Sequence, residues 1–305
     1  MRRRSFLALT AGFPAWVQGT GTGNPETASD WTFLDNGQIR LGIRKSSGAC
    51  IGWFSRSGPG AENLLDHWDH GRSIQQSYYG AEDGSRWAEK PWRWNPVQGG
   101  DYRGTAAEVS VVDVPSTVEL HSRTLPRNWA GGELLRDVVM EQWIRLEGLA
   151  AHLRFRFEYS GTQSHPAQDQ EIPAFFCVPS LGTLVTYDGD RPWSGDGALR
   201  RVQPGWPNEY RAMTEGWAAY VNGRDEGIGI FVPRARRLTC YRYGKSPEAP
   251  GACSYLAPLD RFAITPGFVF DYRFLLSLGK VEDMRSLFGR LRETMTDSGA
   301  ARPGA

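Results

Sequence analysis

Between His67 and Gly80 the chain reads His67-Trp68-Asp69-His70-Gly71-Arg72-Ser73-Ile74-Gln75-Gln76-Ser77-Tyr78-Tyr79-Gly80, its densest run of unlike functional groups. Two of the five histidines lie here with a carboxylate between them. Histidine is suited to moving protons near neutral pH, so His70 and Asp69 are candidate catalytic groups. The planar fork of Arg72 can clamp a carboxylate or a pair of hydroxyls. Gln75 offers both a donor and an acceptor. Tyr78 or Tyr79 could serve as a base if its phenol were acidified.

A second run contains Arg86-Trp87 and Pro91-Trp92-Arg93-Trp94-Asn95-Pro96-Val97-Gln98-Gly99-Gly100-Asp101-Tyr102. Its Pro, Gly-Gly and lack of period read as loop. Three tryptophans within eight residues of loop suit sugar rings, whose C–H patches pack on aromatic faces while amides bind hydroxyls. Trp94, Asn95 and Gln98 are therefore candidate binding residues, and Asp101 a candidate catalytic carboxylate. In a third run, His165 to Phe176, Glu171 stands beside an apolar strand, where partial burial would raise its pKa and make it an acid. Two aromatic loop tips, Tyr187–Trp193 and Gly205–Tyr210, add Trp193 and Trp206 as stacking candidates. Glu215 follows just before a strand. Asp188 and Asp190 lack the rest of a calcium loop and read as an Asx turn. Glu141 and Trp143 share one strand face.

The elements that must position these groups are mostly strands. Leu153–Tyr159 alternates apolar and charged residues, and Phe268, Phe270, Tyr272, Phe274 and Leu276 recur on one face. Further strands are predicted at Ile39–Arg44, Ala49–Phe54, Glu108–Val114, Thr117–Leu125, Val138–Arg145, Ala174–Val178, Thr183–Tyr187, Trp217–Asn222, Ile228–Val232, Leu238–Tyr243 and Arg261–Ile264. One helix is predicted from Val281, with Val281, Met284, Leu287, Phe288 and Leu291 at helical spacing. So many strands without intervening helices predict an all-β fold, a large antiparallel two-sheet β-supersandwich with one C-terminal helix.

Lys and Arg total 35 against 34 Asp and Glu, which argues against nucleic acid as a partner. No stretch approaches a membrane span. The opening Arg3-Arg4-Ser5-Phe6-Leu7 resembles a twin-arginine export motif, which implies a bacterial periplasmic or secreted protein. Without its three opening arginines the chain is slightly acidic. Residues 1–22 are expected to be this signal, 23–296 one β-sandwich catalytic domain, and 297–305 a loose tail. Cys50, Cys177, Cys240 and Cys253 lack C-x-x-C spacing and read as disulfide partners or buried thiols, not as a zinc site. No serine elbow, P-loop, zinc-protease helix or dinucleotide fingerprint is present, so no metal and no cofactor is expected.

Asn36-Gly37-Gln38-Ile39-Arg40-Leu41-Gly42-Ile43, then Gly48-Ala49-Cys50-Ile51-Gly52-Trp53 and Glu62-Asn63-Leu64-Leu65, resemble the start of galactose-mutarotase-like supersandwich domains. Tyr255-Leu256-Ala257-Pro258 through Thr265-Pro266-Gly267 resembles their end. The resemblance implies a sugar-handling fold with a catalytic histidine after a strand like Leu153–Tyr159, where His165 or Glu171 is the nearest equivalent. It also implies a late base carboxylate. Here Gly251-Ala252-Cys253-Ser254-Tyr255 has no acid nearer than Glu248, which counts against simple mutarotation.

The sequence is read as an exported carbohydrate-active enzyme that cleaves an oligo- or polysaccharide. Glycoside hydrolysis leads, since it needs two carboxylates in different protonation states, and Asp69, Asp101, Glu171 and Glu215 are available. Glu171 would donate the proton, with Asp101 or Asp69 opposing it. Arg72, Gln75, Asn95 and Gln98 would hold hydroxyls, and Trp94, Trp193 and Trp206 would stack on rings. The alternative is a polysaccharide lyase, with Arg72, Gln75 and Asn95 neutralising a uronate and His70, Tyr78 or Tyr79 as base. A non-catalytic sugar-binding protein and a sugar epimerase are further readings.

Overall fold

The computed structural model describes residues 29–295. The expected signal segment, the terminal tail and both of their boundaries lie outside that range. Two large antiparallel sheets carry the fold. From edge to edge the first runs through Trp31–Asp35, Ile39–Arg44, Cys50–Arg56, Ile74–Ser77, His165–Cys177, Cys253–Ile264, Arg237–Tyr243 and Glu209–Ala212, with the short Pro96–Val97 and Arg127–Asn128 beside Ile74–Ser77. The second runs through Leu199–Val202, Thr183–Tyr187, Trp217–Val221, Glu226–Phe231, Val269–Lys280, Ala150–Tyr159, Val138–Glu147, Glu119–Leu125 and Glu108–Ser116. This is the all-β sandwich that the alternating patterns predict.

Those patterns also explain what faces inward. Leu153, Phe155 and Phe157 pair in register with Phe274, Tyr272 and Phe270 on the neighbouring strand, and all six are buried. They meet Leu41, Ile43, Ile74, Ile172 and Phe175 of the first sheet in one core. Each such side chain contributes roughly 1.5–3 kcal/mol by leaving water. The helix Val281–Leu291 starts where the sequence predicts. It lays Val281, Met284 and Phe288 on the second sheet's far face, against Tyr187, Trp217 and Phe231. Glu282 and Asp283 in its first turn and Arg290 in its last suit the helix dipole.

The structure departs from expectation where the candidate residues are densest. Ile74–Ser77 is a buried strand that is not among the predicted ones. Loop was also expected around Arg86–Trp92, but Glu82–Trp87 and Lys90–Arg93 form a separate two-stranded hairpin. Its two-residue turn is Ala88-Glu89, with φ of 49° and 62°. A turn with both central residues at positive φ matches strand twist, but usually carries Asn-Gly. Ala-Glu hides it from a reader of the sequence. The strand containing Glu171 also begins earlier than the predicted Ala174, at His165.

Candidate functional site

Strand alternation puts a second set of residues on the face of the first sheet turned away from the core. Along Arg237–Tyr243, Leu238 and Cys240 enter the core while Tyr241 and Tyr243 point outward. Along Cys253–Ile264, Leu256 goes in while Cys253, Tyr255 and Ala257 go out. Along His165–Cys177, Ile172, Phe175 and Cys177 go in while Ala174 and Phe176 go out. On this outward face lies a cleft of about 270 Å³.

Glu171 lines the cleft at a break in register. Its strand pairs Glu171 with Ser77 on one side and Leu259 on the other, and both ladders slip immediately afterwards. Such bulges re-aim side chains and recur near active sites. Tyr79 donates to Glu171 Oε1 at 2.9 Å, and Tyr255 donates to the same oxygen. Burial raises the Glu171 pKa, and the hydrogen bonds from Tyr255, Tyr79 and Ser77 only partly offset it. Tyr79 and Tyr255 are themselves pushed well above the ordinary phenol range, by burial first and then by the charge of Glu171. Tyr255 stacks on Tyr241 at 4.5 Å and packs against Phe176 at 4.6 Å.

Two aromatic groups flank these residues. Trp87 meets Trp92 edge to face at 4.9 Å and Trp129 at 6.0 Å. Trp206 stands edge-on to Tyr241 at 4.7 Å and to Tyr243 at 5.2 Å. Gly71 makes room for the first group, since a Cβ there would stand 2.5 Å from Trp129 Cη2. Also in the lining, Asp69 Oδ1 accepts the Gly71 N–H at 2.8 Å, and its Oδ2 is 3.4 Å from Arg72 Nε. Burial raises the Asp69 pKa against the opposing pull of Arg72. Arg72 Nη1 donates to Asp66 Oδ2 at 2.5 Å.

The cleft gathers Asp69, Arg72, Tyr79, Asn95, Glu171 and Trp206 from four separate sequence runs. Asn95 Nδ2 donates to the Tyr78 carbonyl at 2.7 Å. The other sequence candidates are not in its lining. His70 bonds Ser47 Oγ and the Gly104 carbonyl, each at 3.1 Å. Gln75 donates to the His70 and Arg72 carbonyls and accepts the Gly99 N–H, so it ties loops together. Tyr78, one residue before Tyr79, points to the opposite face and packs on Phe157 at 4.4 Å. Trp94 is buried and stacks on His165 at 4.0 Å. His165 in turn accepts the Ala81 N–H, so this histidine is a packed ring. Gln98 bridges the Gly48 carbonyl and the Gln76 N–H. Asp101 Oδ1 accepts the N–H groups of Arg103 and Thr105, closing its own turn. Trp193 packs on the second sheet, 5.8 Å from Phe231.

Glu215 is fully enclosed beneath the helix. Arg285 grips it through Nε and Nη2 at 2.8 and 2.6 Å, while the Trp193 N–H and Trp217 Nε1 each donate at 2.7 Å. All four cysteines are buried free thiols, and burial pushes Cys253, which borders the cleft, up to about 11. Among the described residues, no three His, Cys, Asp or Glu side chains gather as a metal site, and no helix is long and apolar enough to cross a membrane. Sequence reasoning missed Trp87, Trp92 and Trp129 as individual wall residues, and Phe176, Tyr241, Tyr243 and Tyr255 altogether. The Tyr-x-Tyr alternation in the predicted strand Leu238–Tyr243, and Cys-x-Tyr in a strand that begins at Cys253 and not at the predicted Arg261, were the available signal.

This architecture is the galactose mutarotase-like β-sandwich. A galactose mutarotase-like protein from Lactobacillus casei superposes with a TM-score of 0.54 at 12% identity, over 82% of this chain and 99% of that one. The galactose mutarotase related enzyme from Lactobacillus acidophilus superposes with a TM-score of 0.53 at 9% identity, over 81% of this chain and 97% of that one. At these identities the likeness is one of fold. No family model and no curated protein matches the sequence.

Proposed function

We propose that the cleft binds carbohydrate and that the protein is a glycoside hydrolase in which Glu171 is the proton donor. The observation that carries this reading is one carboxyl, buried among aromatic rings, whose hydrogen-bond partners are all hydroxyls. Both phenol bonds fall on Oε1, so in the protonated acid the hydrogen belongs on Oε2. From there it would pass to the glycosidic oxygen as the C–O bond breaks. Asp69, the other carboxyl in the cleft lining, would act as nucleophile or as the base that activates water. The tryptophan and tyrosine walls would hold sugar rings by their C–H faces.

The same groups argue against elimination. A tyrosine base needs a depressed pKa, and Tyr79 and Tyr255 are shifted the other way. His70 is engaged by Ser47 and Gly104 outside the cleft lining. The test is incubation with a panel of glycans. New reducing ends without the ultraviolet absorbance of an unsaturated uronate support hydrolysis, whereas that absorbance would overturn it. Product stereochemistry assigns Asp69: retention makes it the nucleophile, inversion the base.

We propose export as well, on the resemblance of Arg3–Leu7 to a twin-arginine motif. Fractionation of cells with and without a twin-arginine translocase tests it, since loss of the translocase should trap the protein in the cytoplasm.

A further inference from the structure

We infer that the cleft selects uncharged glycans and turns away uronate-bearing ones. The inference rests on the carbohydrate reading above and narrows its substrate class. Recognition of a uronate calls for an available cation, most effectively an arginine fork that meets both carboxylate oxygens. Among the described residues that line the cleft, Arg72 is the only Arg, Lys or His. Its Nη1 is held by Asp66 Oδ2 at 2.5 Å, and its Nε lies 3.4 Å from Asp69 Oδ2. Its side chain is only 8% exposed. Two of its three nitrogens thus face carboxylates of its own loop, and one positive charge cannot neutralise both.

An incoming uronate would meet this acid-rich loop, where Asp66 and Asp69 already share one guanidinium. Like charges brought together in a partly desolvated site cost binding and exclude a ligand. A neutral sugar meets a different surface. Asn208, exposed at the cleft, offers an amide to hydroxyls, and the aromatic walls accept ring faces. Arg72 therefore shapes the loop around Asp69 and leaves recognition to that amide and the rings.

Affinity electrophoresis of the full chain near neutral pH tests this with matched pairs, galactan against polygalacturonate and mannan against polymannuronate. At least one neutral polymer should retard the protein, and its uronate counterpart should bind at least about tenfold more weakly. A uronate polymer that binds as tightly as its neutral partner overturns the charge selection and leaves the hydrolase reading standing. No retardation by any neutral or acidic glycan, together with no hydrolysis, overturns the carbohydrate reading and this inference with it. Asp66→Asn should free one arm of Arg72 and narrow the gap between the two polymers of a pair. An unchanged gap in a folded variant overturns the role given to Arg72, while the wild-type comparison stands without that variant.

Discussion

Glu171 and Glu215 drew attention for the same reason, a carboxylate beside an aromatic strand, yet the fold gives them opposite environments. Glu215 sits under the C-terminal helix with four donors, two of them from the Arg285 guanidinium. Its charge is matched and its lone pairs are filled. Glu171 sits in an open cleft with hydroxyl partners and a raised pKa. A matched charge holds structure together. A carboxyl partnered by phenols can exchange a proton with a ligand. The partner set, more than burial or residue type, separates the structural acid from the candidate catalytic one.

The contrast is open to direct attack. Glu171→Gln should lower kcat/KM by roughly 10²–10⁴-fold with the melting temperature nearly unchanged, and full activity in that variant would end the assignment. Glu215→Gln should do the reverse. It leaves Arg285 partly buried without its ion-pair partner and should destabilise by about 3 kcal/mol, read by chemical denaturation, with kcat preserved in the folded fraction. Asp69→Asn and Asp101→Asn sharpen the comparison within the cleft region, because the first should lose most activity and the second only about 1 kcal/mol of stability from its turn. Trp206→Ala should raise KM about fivefold, equivalent to about 1 kcal/mol of lost stacking, with kcat little altered.

The smallest effect concerns pH. Glu171 must be protonated to act, so activity should fall as pH rises through its raised pKa. Tyr255→Phe removes a bond that favours the charged form. The Glu171 pKa should therefore rise further, and the alkaline limb of kcat/KM should move to higher pH. The linkage has the same sign in stability. The folded state keeps the proton longer than the unfolded chain does, so the contribution of Glu171 is full below the ordinary value of 4.5 and is lost as pH rises toward the shifted one.

Strict alternation made Leu153–Tyr159 and Phe268–Leu276 legible, because one face of each strand meets the core and the other meets polar surroundings. The helix at Val281 was legible from its apolar spacing. Ile74–Ser77 was not, because Gln75, Gln76 and Ser77 are buried by hydrogen bonding, and a polar buried strand looks like loop. Its neighbour Tyr79 was singled out together with Tyr78, and only the pleat distinguishes them. The same limit applied to Trp94 and Trp92. Clustering in sequence marks a region, but the direction of each side chain follows from strand pairing, which a linear reading does not contain. Tyr241 comes from a predicted strand, whereas Tyr255 precedes the predicted Arg261–Ile264, and their outward faces became meaningful only once the sheet order was known.

The hairpin Glu82–Trp87 and Lys90–Arg93 pairs with neither large sheet, yet it supplies Trp87 and Trp92 to the cleft. Glu171 and its tyrosines are carried by the sandwich strands and the segment directly after Ile74–Ser77. Preference for a ligand can therefore drift, or be re-engineered, by exchanging a short ribbon while the proton-handling groups stay on the frame that fixes them. Two proteins of this design could share their chemistry and differ in what they accept by little more than that ribbon.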